Sequence, residues 1–336
     1  MAAASTPAPA AALAQLLYDE SEVSEKCGEL LRSLPKARGW MGAPPLYVYG
    51  GDWYYGGSLQ GVLSTLKHFQ PHDTDIILAS VPKSGTTWLK AIGYSIVNRG
   101  KNGVGSEDKN PLLTNNPHDL VPFLELNLYA AKSVPDVTAI PPPRLFATHL
   151  SVRKMSAKYA SCKVLYICRN PKDTFTSDWN FITRLRPPDE AAISVEEAFD
   201  MFCNGVNAFG PYWDHVLEYW NASLERPGSI MFLKYEDLIA QPHRHFVKIA
   251  EFLGCPFSEA EEAGGVVDEM VKLCSFDHLS GLEVNQSMTS KSLGAPNSIF
   301  FRRGGVGDSK NLLAPEMIDR LDRIAKERFS PLGLEF

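Results

Sequence analysis

The chain has 336 residues, 44% of them hydrophobic and 21% charged, with a formal net charge of −6. That length can bury a large α/β core, and the acidic balance excludes general nucleic-acid binding, so an anionic ligand would need a local cluster of cations. No apolar run is long enough to cross a membrane, and Cys27, Cys162, Cys168, Cys203, Cys255 and Cys274 lack metal-ligand or redox spacing, which reads as buried thiols in a reducing, cytoplasmic compartment.

Residues 1–15, rich in Ala and Pro, read as a disordered lead without the basic start or apolar core of a signal peptide, and 16–336 read as a single domain. Glu20 to Leu34 reads as a helix ending before Pro35, and the aromatic, Gly-rich stretch 38–55 as short strands or a loop over a pocket. Gly57 to His68 is a further expected helix. Next comes Thr74 to Asn98. The apolar run Ile76–Ala79 predicts a buried strand, and Trp88, Ile92 and Ile96 form one stripe of a helix. Between them lies Pro82-Lys83-Ser84-Gly85-Thr86-Thr87. A strand feeding a Gly-bearing turn and a helix aims free N–H groups and the positive end of the helix dipole at one spot, where an anion belongs, phosphate being the usual one. The Walker spacing is not met, since there is one Gly and Lys83 precedes it. The element is P-loop-like, but of another kind.

Polar residues 102–116 predict a mobile loop, and 118–125 a turn and short helix. Strands are expected at 144–148, 163–168 and 229–234, and helices at Thr174–Thr183, over most of Ser194–Trp220, at 242–253 and at 315–329. Residues 275–311 show no periodicity. Strands alternating with helices predict a central, mostly parallel sheet flanked by helices.

Ligands of such sheets sit beyond the carboxyl ends of the strands. Those ends carry Lys83 to Thr87, His149, Arg169 with Ser177 one or two helical turns on, and Tyr235. Each has an ordinary alternative: a structural histidine, an Arg169–Asp173 pair, a packed tyrosine, a capping serine, a surface lysine. Their common position at predicted strand ends argues for an anion site with a proton-transfer group.

PKSGTTWLK (82–90), CRNPKDTFTS (168–177) and FFRRGGVGDSKN (300–311) together resemble the cytosolic sulfotransferases; HDLVPFLE, FATHL, GPYWDHVLEYW and FLKYEDL are similar to the plant branch of that family. These motifs occur in family order from about Ile76 to Leu313. The resemblance implies sulfuryl transfer from 3′-phosphoadenylyl sulfate to a hydroxyl of a small organic acceptor, leaving 3′-phosphoadenosine 5′-phosphate, with no metal. It implies that Lys83, Ser84, Gly85, Thr86 and Thr87 hold the 5′-phosphate. Trp88 and Phe276, the latter in Cys274-Ser275-Phe276, sandwich the adenine. Arg169, Ser177, Arg302, Arg303 and Gly304 bind the 3′-phosphate, Tyr235 touches the base, and His149 is the general base. Trp53, Tyr54, Tyr55, Phe123, Phe181 and Tyr212 are candidate apolar walls for the acceptor, whose class (flavonoid, brassinosteroid, hydroxyjasmonate or desulfo-glucosinolate) the motifs leave open.

Three departures from the family pattern stand out. Ala147 occupies the place where animal members carry a lysine, as is usual in plant members, and Ser309 replaces a packing tryptophan. Of the dimer signature, which would fall on Lys310, Ala314, Pro315 and Asp319, only Lys310 survives, so family-style dimerisation is not supported and the oligomeric state stays open, a monomer being one option. Two other readings compete. A nucleotide kinase with a variant loop needs a Mg²⁺ carboxylate at a strand end, where this chain has Arg169 and His149; a non-catalytic nucleotide-binding homologue fits poorly with both His149 and Lys83 present.

Overall fold

Alternation along one buried strand sets the layers. In β4 (Ile76–Ser80), Ile76 and Leu78 pack into one core cluster, while Ile77 and Ala79 pack into another on the opposite face. A strand buried on both sides is what a parallel sheet between two helical layers requires. The computed structural model describes residues 13, 14, 17, 19–21, 23–102, 109–131, 133–155, 157–186 and 193–336. The lead expected at 1–15 falls outside these residues except for Leu13 and Ala14, which are helical and buried.

The parallel sheet runs β5-β4-β6-β7, with β5 at Leu145–Thr148, β6 at Lys163–Cys168 and β7 at Ile230–Lys234. Ala79 pairs with Thr148, Ser80 with Ile167, and Cys168 with Lys234, so the four strands end in register. A second, antiparallel sheet of β1 (Lys36–Gly39), β2 (Gly42–Tyr49) and β3 (Asp52–Tyr55) stands where the aromatic stretch was expected to form short strands. The principal helices are α1 (Glu25–Ser33), α2 (Gly56–His68), α3 (Thr86–Asn102), α4 (Pro171–Leu185), α5 (Val195–Cys203), α6 (Tyr212–Glu225), α7 (Pro242–Phe252) and α8 (Pro315–Phe329). Ile92 and Ile96 bury the stripe of α3, and Phe246, Ile249 and Ala250 that of α7.

Several boundaries differ from expectation, each for a local reason. Helix α1 starts at Glu25, because the Ser24 hydroxyl accepts the Cys27 N–H as an N-cap. Helix α4 starts earlier than Thr174, at Pro171, because Asn170 caps it and proline suits a first turn. The stretch 194–220, expected to be mostly helical, is two helices separated at 204–211, where Gly205 and Phe209 take positive φ before α6 begins. Residues 103–108 of the expected mobile loop lie outside the described residues. The rest is built, with Asn110 and Asn116 capping short turns at Pro111–Leu113 and Pro117–Leu120. The aperiodic 275–311 holds short helices at Phe276–Gly281 and Glu283–Ser287, below the length at which periodicity shows.

At the amino ends of the sheet, Arg144 meets Asp75 in two charge-assisted bonds of 2.7 and 2.6 Å, both side chains buried. Such a pair fixes the β4–β5 register from the end opposite the site. Removing one partner strands a buried charge, so Asp75→Ala is expected to cost about 3–5 kcal/mol in denaturant unfolding. A loss below about 1 kcal/mol would show that the pair does not hold the sheet.

Candidate active site

The carboxyl ends of β4, β5, β6 and β7 open into one cavity. Lys83, Gly85, Thr86, Thr87, Trp88, His149, Arg169, Ser177 and Tyr235 all line it, together with Phe276, Arg302, Arg303 and Gly304. The convergence expected at strand ends is therefore real geometry. Three residues are placed differently. Ser84 is fully buried, with its Oγ unpartnered among the described residues. Cys274 is in the core, its Sγ 3.3 Å from Ser95 Oγ, and Ser275 caps the helix that carries Phe276 by accepting the His278 N–H. Neither Cys274 nor Ser275 lines the cavity. Of the apolar walls, Tyr55, Phe123 and Phe181 line it; Trp53, Tyr54 and Tyr212 do not. The Tyr212 hydroxyl instead donates to the Arg169 carbonyl at 2.5 Å.

Ring contacts divide the cavity into two ends. At one, Trp88 meets Tyr235 edge-on at 5.4 Å, Arg169 lies 4.7 Å from the Tyr235 ring, and Phe276 packs on Phe301. At the other, His149 packs between Phe123 at 4.7 Å and Phe209 at 5.3 Å. Lys83 stands between them, its Nζ 3.9 Å from the centre of the Phe181 ring. Its backbone is left-handed at φ 64°, a conformation that costs a non-glycine residue and persists only where the surroundings impose it. Burial and the charges of Arg302, Arg169 and Arg184 bring its ammonium down to about 7, against an opposing pull from Asp178.

The loop at 302–309 is pinned to the strand ends. Tyr235 OH donates to the Gly304 carbonyl and Arg169 Nη2 to the Gly305 carbonyl, each at 2.8 Å. Asp173 accepts the Gly307 and Ser309 N–H groups at 2.7 and 2.9 Å. These last bonds use the backbone, so the loop at Ser309 does not need the tryptophan side chain it lacks. Gly304 has φ 65°, and a Cβ there would overlap the Phe276 ring. Arg302 and Arg303 both pair with Asp308, yet Arg302 Nε and Arg169 Nε remain buried donors without a hydrogen-bond partner among the described residues. Orphaned donors of this kind, with Ser84 Oγ, suit anionic oxygens.

His149 has a determined tautomer. Its Nδ1 lies 2.7 Å from the Ser80 carbonyl, which can only accept, so Nδ1 carries the proton and Nε2 is left as an acceptor. Burial, more than the neighbouring charges of Lys90, His215 and Lys83, pushes its pKa down to about 3. The histidine is braced from behind: Glu125 accepts its backbone N–H at 2.6 Å and the Thr148 hydroxyl at 2.8 Å. His215 Nε2 faces the His149 carbonyl at 3.1 Å.

Sequence reasoning missed Lys90, His118, Glu125 and Asp178. Lys90 is fully buried, with its Nζ 2.9 Å from His118 Nδ1 and 3.4 Å from the centre of the Phe123 ring. Burial holds the Lys90 pKa well below the usual lysine range, and the other ring nitrogen of His118, Nε2, lies 3.0 Å from Thr87 Oγ1. This places a lysine amine beside Phe123 and near His149 that does not depend on position 147. A usable signal existed, because Thr87 and Lys90 are three apart on one helix face.

A model of the sulfotransferase domain matches residues 73–333. The chain belongs to the sulfotransferase family. It is 45% identical over 318 residues to cytosolic sulfotransferase 11 of Arabidopsis thaliana, covering 94% of this chain and 90% of that protein. A crystal structure of a candidate steroid sulphotransferase from Arabidopsis thaliana superposes with TM-score 0.74 at 38% identity, covering 94% of this chain and 98% of its own. A mouse sulfotransferase complexed with PAP shares the fold at TM-score 0.64 and 24% identity, covering 86% of this chain and 96% of its own. Sulfuryl transfer is the reaction class, in agreement with the plant, cytosolic resemblance of the motifs and against the kinase and non-catalytic alternatives. Among the described residues no helix is long and apolar enough to cross a membrane.

With Lys83 brought to about 7, its charge is lost as pH rises through neutrality, and a bound anion holds the proton on. Asp178, raised by burial to about 7, becomes negative over the same interval and acts in the same direction. Sulfate, which does not titrate in this range, is expected to bind roughly tenfold or more weakly at high than at low pH across this midpoint. Lys83→Met should flatten that slope in competition calorimetry; an unchanged slope would remove Lys83 from the anion site.

Proposed function

We propose that this sulfotransferase moves the sulfuryl group of 3′-phosphoadenylyl sulfate to a hydroxyl of a small organic acceptor, with His149 as general base and Lys83 stabilising the leaving phosphate. The observation that carries this reading is the His149 Nδ1–H bond to the Ser80 carbonyl, which leaves Nε2 free where the phosphate loop begins. The residues at the Trp88 end fit the nucleotide: cations, orphaned buried donors and two aromatic faces. When bound, it supplies a sulfuryl group on a phosphate that is already a stable leaving group, so the proposal includes no metal.

The chain's own groups then divide the work. The loop Lys83 to Thr87 meets the 5′-phosphate with backbone N–H groups, hydroxyls and the Lys83 ammonium at the positive end of α3. Trp88 and Phe276 flank the adenine, Tyr235 borders it, and Arg169, Ser177, Arg302, Arg303 and Gly304 hold the 3′-phosphate. Cys274 and Ser275 contribute by placing Phe276. His149 is neutral near pH 7, so its Nε2 lone pair is available, and anionic groups bound nearby raise its proton affinity toward that of a working base. In-line transfer with loose charge on the equatorial oxygens needs positioning and fixed positive charge, which Lys83 and the α3 terminus supply.

Phe123, Phe181, Phe209 and Tyr55 form the acceptor end, shaped for a ring-bearing, largely apolar molecule. The dimer signature is degenerate, and Ala314 and Pro315 instead serve as N-cap and first residue of α8, so we take the enzyme as a monomer. His149→Ala is expected to lower kcat by at least roughly 10³-fold while the Kd of 3′-phosphoadenosine 5′-phosphate stays within about threefold. Comparable loss of both would make the histidine structural.

A further inference from the structure

One carboxylate in the cavity has no task in the reaction. Asp178 stands one turn before Phe181 on α4, lines the cavity and is only 6% exposed. Its carboxylate has no hydrogen-bond or ion-pair partner among the described residues, although Ser177 and Phe181 on the same helix surface face the same space. A carboxylate offers only acceptor sites, and buried without a donor it is costly to keep. That cost is visible as the pKa raised to about 7 by burial.

A counter-charge for the nucleotide end does not explain it. Arg302 and Arg303 already have Asp308, and Arg169 has Asp173 at 3.5 Å. Lys83 feels Asp178, yet its Nζ rests on the Phe181 ring and makes no ion pair with the carboxylate. A further negative charge would also oppose phosphate binding. On its other side Asp178 is close enough to Tyr55 to raise that phenol's pKa, and Tyr55 lines the same cavity, as do Ser58, Leu13 and Leu17. Tyr55 is one of the residues assigned above to the acceptor end.

We propose that Asp178 is the polar anchor of the acceptor subsite, accepting a hydrogen bond from a second donor, hydroxyl or ammonium, on a molecule whose reacting hydroxyl lies at His149. The proposal rests on the sulfuryl-transfer reading of this cavity. It narrows the acceptor class: a ring-bearing molecule with a second donor group remote from the reacting hydroxyl is preferred over a monohydroxyl hydrophobe of the same size.

The test uses three phenols of similar length, 4-propylphenol, 4-(2-hydroxyethyl)phenol and tyramine, with wild type, Asp178→Leu and Asp178→Asn. Wild type is expected to favour at least one donor-bearing phenol over 4-propylphenol by roughly tenfold or more in kcat/KM. In Asp178→Leu that ratio should collapse toward unity, while the calorimetric Kd of 3′-phosphoadenosine 5′-phosphate is not weakened by more than about threefold. Asp178→Asn keeps an acceptor oxygen without the charge: retained preference for the hydroxyl identifies a hydrogen bond, and loss confined to tyramine identifies an ammonium. No preference in wild type, turnover of none of the three by protein that binds the nucleotide, or equal loss for all three with weakened nucleotide binding would overturn the proposal alone. Protein that neither binds the nucleotide nor sulfates any phenol would overturn the sulfuryl-transfer reading beneath it.

Discussion

The hydrogen bond from His149 Nδ1 to the carbonyl of Ser80 ties the two halves of the site together. Ser80 is the last residue of β4 and the start of the phosphate loop, while His149 is the first residue beyond β5. Parallel pairing of β4 with β5 puts them side by side, and the buried Arg144–Asp75 pair holds that register from the opposite end. A slip of one residue would exchange the faces of β5 and move the imidazole away from the carbonyl. Tautomer, loop position and strand register are thus one constraint.

Around it the electrostatics are deliberately unbalanced. Lys83, Arg169, Arg302 and Arg303 face a single cavity, and buried donors on Arg169, Arg302 and Ser84 lack partners among the described residues. Burying such groups is costly, and what offsets the cost is the rest of the fold: a sheet buried on both faces and carboxylates at Asp173 and Asp308 that hold the 302–309 loop. The lowered ammonium of Lys83 and lowered imidazole of His149 share one first cause, removal from water. Anions bound in the cavity shift both back toward charge, so each group is most charged when its partner is present.

Much of this was legible in the sequence. All four parallel strands could be read from apolar runs, because strands buried on both faces need no alternation. The strand-end residues followed from the rule that such sheets bind ligands at their carboxyl edge. The position of the break at 204–211 within a mostly helical stretch was not legible, since the turn is set by tertiary packing against β3, where the Trp53 N–H donates to the Gly210 carbonyl and the Phe209 N–H to the Trp53 carbonyl. Lys90, His118 and Glu125 were missed for a related reason: their roles arise when the 116–128 segment docks on the edge of β5, with Phe123 bridged to Ala147. Asp178 sits beside Ser177 in a motif already noticed, but only the three-dimensional wall shows that its carboxylate is unmet. Cys274 and Ser275 went the other way, in the right segment but facing the core or capping a helix.

The imidazole itself offers the most direct test of the central claim. Nitrogen-15 spectra of histidine-labelled protein, with His149 assigned by its absence in His149→Gln, report which ring nitrogen carries the proton and where the ring titrates. The account requires a neutral ring protonated at Nδ1 that stays neutral well below the usual histidine midpoint, in line with a pKa of about 3. A ring protonated at Nε2, or one titrating near the ordinary value of about 6.5, would contradict it.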